Sequence, residues 1–372
     1  MLIELRGVEF VNKGAELMLH AIMQKVKENI PDADFVMEAT TRAPAEKLSE
    51  YNIYAKKDIA KAKFIPGFIR RKLRFKLDKE IDVVFDASGF ALGDQWGAKY
   101  ADKRIGSKIS TWHKEGKKVI LLPQAFGPFN DEALETVMKK IVANADLIFA
   151  REKQSYEYIR RISEKDDIMQ APDFTNLLKG KVPENFDTTN REVAIIPNYK
   201  MIEMNEGEGN LYTDFLHQTI NKINTLGLTP YFLIHEGERD TEIAKKVNTL
   251  LKKPLEIIIN PDPIMIKGII STAFFIVCSR FHGVVSALSQ GVPCISTSWS
   301  HKYEMLHQEY DYEEGLLKNI GDQEAIGQKI TKLSEPETNK TISEKLSLNS
   351  STQKERSAEM WQTVFKVINN KS

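Results

Sequence analysis

The chain has 372 residues, in which 52 lysines and arginines are balanced by 52 aspartates and glutamates. This length favours two domains, and the balanced charge gives no overall field that would attract nucleic acid. The sequence has no apolar run long enough to predict a membrane-spanning helix. The first ten residues, MLIELRGVEF, lack the pattern of a signal peptide. We therefore expect a cytoplasmic protein.

The cysteines and histidines argue against a disulfide or a metal centre. Both cysteines, Cys278 and Cys294, lie in apolar segments, which is typical of reduced core residues in a reducing compartment. The histidines show neither an HxH nor an HExxH spacing. We therefore expect no metal site.

The first half of the chain alternates short apolar strands with amphipathic helices, which is typical of a parallel sheet covered on both faces. This half forms one predicted domain, residues 1–178. Its predicted strands cover 2–5, 35–38, 81–85, 118–122 and 146–150, and its predicted helices cover 15–29, 99–114, 131–144 and 152–162.

The second half repeats this alternation after a polar segment, 179–191, that we interpret as a linker. The second predicted domain covers 190–334. Its predicted strands are 193–197, 230–235, 256–259, 273–277 and 294–297, with a helix over 212–226. We expect residues 335–353 to be weakly structured and a final apolar helix, 354–368, to pack back on the first domain. The predicted fold is thus α/β, with two doubly wound Rossmann-like domains facing across a cleft.

The most informative segment is the turn SRFHG, Ser279 to Gly283, between an apolar strand and a predicted helix over 284–290. In an extended chain, residues two apart share a side. Arg280 and His282 should then point together above the sheet while Phe281 points into the core. A permanent cation, a titratable imidazole and a helix N-terminus at one place favour an anionic substrate.

Further polar residues follow other predicted strands, where ligands of open α/β sheets bind. Arg151 is one of these. The weaker acceptor-binding or loop candidates are Asn12, Glu16, Asp94, Gln124, His235 and His301.

Structural explanations for these residues remain open at this stage. Arg280 and His282 could cap the helix and pair with a carboxylate, and Arg151 could form an ordinary salt bridge. Asn12 and Glu16 suit the start of the first helix.

Several segments together resemble the polysaccharide pyruvyl transferase family: NKGAELML, SGFALGD, QAFGPF, AREKQS, APDFTNLL and SRFHGVVSALSQGVP. The resemblance runs from about residue 3 to residue 300 and implies a two-domain architecture similar to glycosyltransferase-B. It also implies transfer of a pyruvyl group from phosphoenolpyruvate to sugar hydroxyls, giving a ketal and phosphate. In this resemblance Arg280 and His282 are the catalytic and donor-binding pair, Ser279 and Gly283 belong to the donor-binding turn, and Arg151 is a second donor-binding position.

The expected chemistry fits these side chains. Phosphoenolpyruvate carries a carboxylate and a phosphate, which the planar fork of arginine can hold bidentately. Protonation of the enol methylene needs a general acid, and His282 is the candidate. No cofactor is required, and phosphoenolpyruvate is the donor substrate. The family resemblance also implies a saccharide acceptor in exopolysaccharide or cell-wall glycan synthesis.

Two other function classes remain open from the sequence. One is a nucleotide-sugar-dependent glycosyltransferase or epimerase on a similar scaffold, and the other is a non-catalytic glycan-assembly protein. The basic segment 56–79, which carries interleaved apolar residues, could lie on a membrane near a lipid-linked acceptor, but a solvated helix with one core face is the interpretation we favour. The sequence gives no indication of the oligomeric state.

Overall fold

The computed structural model describes residues 1–57, 65–203, 210–298 and 300–370. Contacts between residues divide the chain into two compact units. The first unit contains Met1–Val11, Met18–Phe174 and Arg356–Ser372, and the second contains Asn12–Leu17 and Thr175–Glu355. A short piece at the start of the first helix thus belongs to the second unit, together with the segment 179–191.

The described part of the first unit contains an eight-stranded parallel sheet with strand order β4-β3-β2-β1-β5-β6-β7-β8. The order reverses between β1 and β5, as in doubly wound folds. Its strands are β1 (Leu2–Arg6), β2 (Asp34–Glu38), β3 (Ile53–Lys56), β4 (Phe75–Lys76), β5 (Val83–Asp86), β6 (Lys118–Gln124), β7 (Leu147–Ala150) and β8 (Ile168–Gln170).

Seven helices begin within the described residues up to 174. They are α1 (Lys13–Asn29), α2 (Ala45–Glu50), α3 (Gly67–Lys72), α4 (Gly97–Ala101), α5 (Ser107–Lys114), α6 (Glu132–Asn144) and α7 (Lys153–Ile162). A π-helical turn, Asp102–Gly106, connects α4 to α5. The central strands β5 and β7 are buried along their whole length, as expected for a parallel sheet covered on both faces.

The second unit contains a six-stranded parallel sheet with order β11-β10-β9-β12-β13-β14 in its described part. Here the order reverses between β9 and β12. The strands are β9 (Val193–Ile196), β10 (Pro230–Ile234), β11 (Ile257–Ile259), β12 (Phe275–Cys278), β13 (Cys294–Thr297) and β14 (Leu316–Leu317).

The α-helices described after residue 174 are α8 (Lys200–Glu203), α9 (Leu211–Thr225), α10 (Gly237–Asn248), α11 (Pro263–Ser271), α12 (Phe281–Leu288), α13 (His301–Glu309), α14 (Gln323–Ser334) and α15 (Pro336–Asn369). The last of them begins in the second unit and ends in the first.

The predicted strands are all present, with ends shifted by one or two residues. Four further strands, β3, β4, β8 and β14, were not predicted. They are two to four residues long, and three of them are sheet edges. An apolar pattern needs several residues to be visible in a sequence, so such short strands leave little signal.

The expectation that residues 335–353 are weakly structured is wrong, because α15 runs from Pro336 through the rest of them. Polar residues make up much of its buried face here. Asn339, Ser350 and Gln353 are almost fully buried. Their side chains donate hydrogen bonds to backbone carbonyls of the second unit, at Leu333, Ser289 and Glu309 respectively. These polar residues share the buried face with Ile342 and Leu346, so the apolar stripe that usually indicates a helix is weak here.

The basic segment 56–79 also departs from expectation. Residues 58–64 lie outside the described part of the chain. The described helix here, α3, has only six residues and none is buried, so within the described residues 65–79 the expected helix with one core face is not formed. Phe68, in α3, is 76% exposed, and Leu73 is 59% exposed.

Both cysteines are free and fully buried, which confirms their predicted core position. Burial raises the pKa of the Cys278 thiol to about 12, which makes it a weak nucleophile. Within the described ranges, none of the helices combines the length and hydropathy needed to cross a bilayer.

Candidate functional site

The SRFHG turn lies at the carboxyl end of β12, beside the point where strand order reverses in the second sheet. The helix α12 begins at Phe281, three residues earlier than predicted, and Arg280 is its N-cap residue. Phe281 is buried, as expected. His282 therefore lies on the first helical turn, at the positive end of the helix dipole.

A buried hydrogen-bond network holds the start of this turn. The Ser279 hydroxyl accepts hydrogen bonds from Tyr212 at 2.8 Å and Thr297 at 2.7 Å. Its carbonyl accepts from the side chains of Asn198 at 2.7 Å and Tyr303 at 2.9 Å. The structure thus gives Ser279 a positioning role, and its predicted contact with a donor stays a prediction.

Gly283 provides close packing beneath the turn. A Cβ atom at this position would lie 2.6 Å from the sulfur of Cys278. Only glycine lets the first turn of α12 approach the end of β12 so closely. A donor contact at Gly283 also stays a prediction.

Arg280 is held by two carboxylates from the region that follows β10. Its Nε and Nη2 donate to the two oxygens of Asp240 at 2.9 Å and 2.6 Å, and Nη1 contacts Glu236. Burial alone would lower the pKa of Arg280, but Asp240 and Glu236 outweigh burial and raise the pKa above its ordinary value. The guanidinium is therefore permanently charged and fixed in orientation.

These two carboxylates differ in accessibility. The Asp240 side chain is 0% exposed, whereas that of Glu236 is 20% exposed. Asp240 also accepts the backbone N–H of Tyr199 at 2.9 Å. Asp240 therefore anchors Arg280, and Glu236 is the more accessible of its two partners.

The start of α1 completes this site, since residues 12–17 belong to the second unit. The Asn12 side-chain oxygen accepts the N–H groups of Gly14 and Ala15 at 2.9 Å and 3.1 Å. This confirms the expected capping role of Asn12. Its amide nitrogen also donates to Glu236 at 3.0 Å, so the cap is joined to the Arg280 cluster.

Lys13 and Gly14 bring a second cation and the imidazole together. Lys13 Nζ contacts a Glu16 oxygen and the Pro261 carbonyl, both at 2.6 Å. A Cβ atom built on Gly14 would overlap the His282 ring, most closely at Nδ1. Glycine at position 14 therefore leaves the space that the imidazole occupies.

His235 lies between these charges and is almost fully buried. Burial, together with the positive charges of Arg280, His282 and Lys13, lowers its pKa to about 3. His235 is thus neutral at physiological pH. Its role as an acceptor-binding residue, expected from the sequence, stays a prediction.

The remaining candidates of the first unit are parts of local networks. Gln124, at the end of β6, donates to Asp86 at 3.1 Å. Asp94 accepts the backbone N–H groups of Phe129 at 2.8 Å and Asp131 at 3.1 Å. These contacts give both residues structural roles, and binding of an acceptor by them stays a prediction.

Arg151 follows β7 in the first unit and lies 3.4 Å from Asp173. Both side chains are 4% exposed. The ordinary salt bridge that the sequence left open is therefore present. His301 begins α13 in the second unit, and its acceptor contact stays a prediction.

Sequence reasoning missed three charged residues of the site: Lys13, Glu236 and Asp240. A signal was present for the two carboxylates, because they are four residues apart directly after a predicted strand. Residues at this spacing share one face of a helix. Within the described residues, the acidic and histidine side chains form no group able to hold a metal ion.

Solved structures with the same overall fold define the class of the protein. Anabaena HepE in complex with UDP and glucose matches with a TM-score of 0.62 and 12% identity, over 100% of this chain and 99% of the other. A putative UDP-N-acetylglucosamine 2-epimerase from Listeria monocytogenes matches with a TM-score of 0.61 and 12% identity, over 100% and 97%. At this identity the likeness shows the fold alone, and it confirms the predicted α/β, glycosyltransferase-B-like class.

Sequence comparison then gives the family. The family model for polysaccharide pyruvyl transferase matches residues 12–301, which include both the NKGAE and the SRFHG segments. The chain belongs to the polysaccharide pyruvyl transferase family, as the resemblance implied, and is a transferase of polysaccharide biosynthesis. No curated protein sequence matches the chain significantly.

Acidification should destabilise the folded chain through His235. The folded state keeps its pKa at about 3, against about 6.5 in an unfolded chain. Since the unfolded state then binds a proton that the folded state does not, the free energy of unfolding falls as pH drops through this window. The slope contributed by His235 approaches about 1.4 kcal/mol per pH unit.

Urea unfolding across this pH window checks the expectation. His235→Asn should flatten the pH dependence, whereas His113→Asn, at an exposed helical position, should keep the wild-type slope. Equal slopes for all three proteins would show that His235 is not a buried neutral imidazole.

Proposed function

We propose that the protein transfers a pyruvyl group from phosphoenolpyruvate to two hydroxyls of a saccharide, forming a ketal and releasing phosphate. The observation that carries this proposal is the cluster of Arg280, Lys13 and His282 around the start of α12. It combines anchored cations with a titratable imidazole at the carboxyl edge of the second sheet, in a chain of the pyruvyl transferase family.

In this proposal the donor binds by exchange of ionic partners. Asp240 occupies the fork of Arg280 formed by Nε and Nη2, so the donor does not take that edge, contrary to the simplest expectation from the sequence. The donor carboxylate or phosphate instead replaces Glu236 at Nη1. Lys13, on the same unit, supplies a second positive charge for the other anionic group.

His282 then acts as the general acid. It gives a proton to the methylene carbon of the enol, so that the adjoining carbon becomes electrophilic and a sugar hydroxyl attacks it. The proton of this first hydroxyl passes to the imidazole of His282, which replaces the proton given to carbon. The C–O bond to phosphate breaks, and phosphate leaves with the electron pair. A second hydroxyl then closes the ketal, and its proton goes to the departing phosphate. Two hydroxyls and one phosphoenolpyruvate give one ketal and one phosphate, with no oxidant and no cofactor.

The proposal also keeps Arg151 as a second donor-binding residue. Two observations support this role: Arg151 lies at the carboxyl end of β7, and it belongs to the AREKQS segment. Asp173 would orient this arginine as Asp240 orients Arg280. A cytoplasmic location and a place in exopolysaccharide or cell-wall glycan synthesis complete the proposal.

Replacement of His282 tests its proposed role as the general acid. We expect His282→Ala to lower kcat by about 10²–10⁴-fold, the usual contribution of general acid–base catalysis, with little change in donor affinity. The assay follows phosphate release and, by mass spectrometry, a saccharide gain equal to pyruvate less water. His113→Ala is the matched control.

The same assay separates the alternative functions. UDP-, GDP- and CMP-sugars are offered in place of phosphoenolpyruvate. Glycosyl transfer or epimerisation with one of these donors, and none of the pyruvyl product, would overturn the proposal. Normal turnover by His282→Ala would instead remove only His282 from the mechanism.

If the donor replaces Glu236 at Arg280, two conservative substitutions should change the donor affinity in opposite directions. Arg280→Lys should weaken phosphoenolpyruvate binding by about tenfold or more, because lysine cannot hold Asp240 bidentately and contact an anion at the same time. Glu236→Gln should tighten donor binding several-fold, because the competing carboxylate is lost. Calorimetric titration measures both, with Arg239→Lys as the exposed control. Weaker binding by Glu236→Gln would contradict the exchange.

A lipid-linked acceptor would bring the protein to a membrane, and the described residues 65–79 offer a contact surface. Phe68 and Leu73 are exposed beside Arg70 and Arg71. We expect Phe68→Ser with Arg71→Glu to reduce sedimentation with vesicles containing anionic lipid. Unchanged sedimentation, or none by the wild type, would exclude this contact.

A further inference from the structure

The first unit contains a large cavity that the proposed donor site does not use. Its volume is about 740 Å³, in the range typical of ligand pockets. It lies beyond the carboxyl ends of β1 and β5, where the strand order of the first sheet reverses. Open α/β sheets bind ligands at this position.

Close approach of two loops shapes the floor of this cavity. Gly7 follows β1 with a φ of 85°, and a Cβ atom there would lie 2.5 Å from the backbone nitrogen of Ser88. A side chain at position 7 would therefore push the two loops apart. The floor is thus built around glycine, as in other sites where backbone must approach closely.

Two aromatic rings lie at one side of the cavity. Trp96 and Tyr100 line it and stack with ring centroids 5.6 Å apart and planes 29° apart. Trp96 is 46% exposed and Tyr100 is 40% exposed. Exposed, mutually stacked rings form a platform on which the C–H face of a pyranose can pack, since the aromatic face attracts positively polarised hydrogen atoms.

The three arginines of the cavity each lie close to a carboxylate, and Lys103 and Glu38 also line it. Arg6 donates to Glu4 at 2.7 Å, and Arg42 contacts Glu9. Arg104 donates to the Ser88 hydroxyl at 2.5 Å. Its guanidinium also lies 3.6 Å from buried Asp86. Each arginine thus has a carboxylate nearby. This balance does not suit a polyanion, but it offers fixed donors and acceptors to a ligand rich in hydroxyls.

We infer that this cavity binds a saccharide, whose pyranose ring stacks on Trp96 and whose hydroxyls contact the paired arginines and carboxylates. Saccharide binding follows from the cavity itself. Its identification as the acceptor site rests on the proposed function.

Saturation-transfer NMR on the full chain tests this inference without any donor. The probes are methyl glycosides of glucose, galactose, mannose and N-acetylglucosamine. We expect at least one to bind, Trp96→Ala to weaken that binding at least fivefold, and Trp96→Phe to restore most of it. Phe68→Ala, an exposed aromatic residue outside the cavity, is the matched control and should bind as the wild type does.

Three results would overturn the inference: no binding of any glycoside, binding that does not change in Trp96→Ala, or binding of UMP that depends on Trp96 while the glycosides do not bind. Phosphate release from phosphoenolpyruvate is measured separately. Trp96-dependent glycoside binding without use of phosphoenolpyruvate would leave the inference standing and remove the proposed function.

Discussion

The Arg280–Asp240 ion pair is the interaction on which the candidate site depends. A charged pair with so little exposure is stable only when its hydrogen bonds are well formed, because both charges have lost most of their water. Two bonds to the guanidinium and one from the Tyr199 backbone meet this condition. Losing one partner of such a pair typically costs about 3–5 kcal/mol. Arg280 is therefore held in one orientation. The part of its guanidinium that Asp240 leaves uncovered, Nη1, faces Glu236.

This constraint explains the role of the start of α1. Asn12 caps the helix and also contacts Glu236, while Lys13 is tied to Glu16 and to the Pro261 carbonyl. The Asn12 contact fixes the Glu236 carboxylate, and the contacts of Lys13 fix its ammonium group. Both charged groups lie near His282 and the buried, neutral His235. The NKGAE segment thus contributes to the same site as SRFHG, although more than 250 residues separate Lys13 from Arg280. These two segments of the family resemblance therefore meet at one site because Asn12 contacts Glu236, the carboxylate that also contacts Arg280.

The sequence predicted the two sheets well because their strands are short apolar runs between clear turn signals. It also placed Arg280 and His282 together at the carboxyl end of β12, where the structure has them, and their catalytic role stays a prediction. It could not reveal that Asp240 occupies the arginine fork, because such pairing depends on how α10 packs against the turn after β12. It also missed the first half of α15, because several residues of its buried face there are polar and donate hydrogen bonds to backbone carbonyls.

In the proposed mechanism a donor anion replaces Glu236 on Arg280, whose fork stays bound to Asp240. A crystal structure with phosphoenolpyruvate bound would show whether this exchange takes place. We expect a donor oxygen within hydrogen-bond distance of Arg280 Nη1, Glu236 turned away, the Asp240 contacts retained and His282 beside the enol methylene. A donor bound elsewhere, or Arg280 still joined to Glu236 with the donor present, would contradict it.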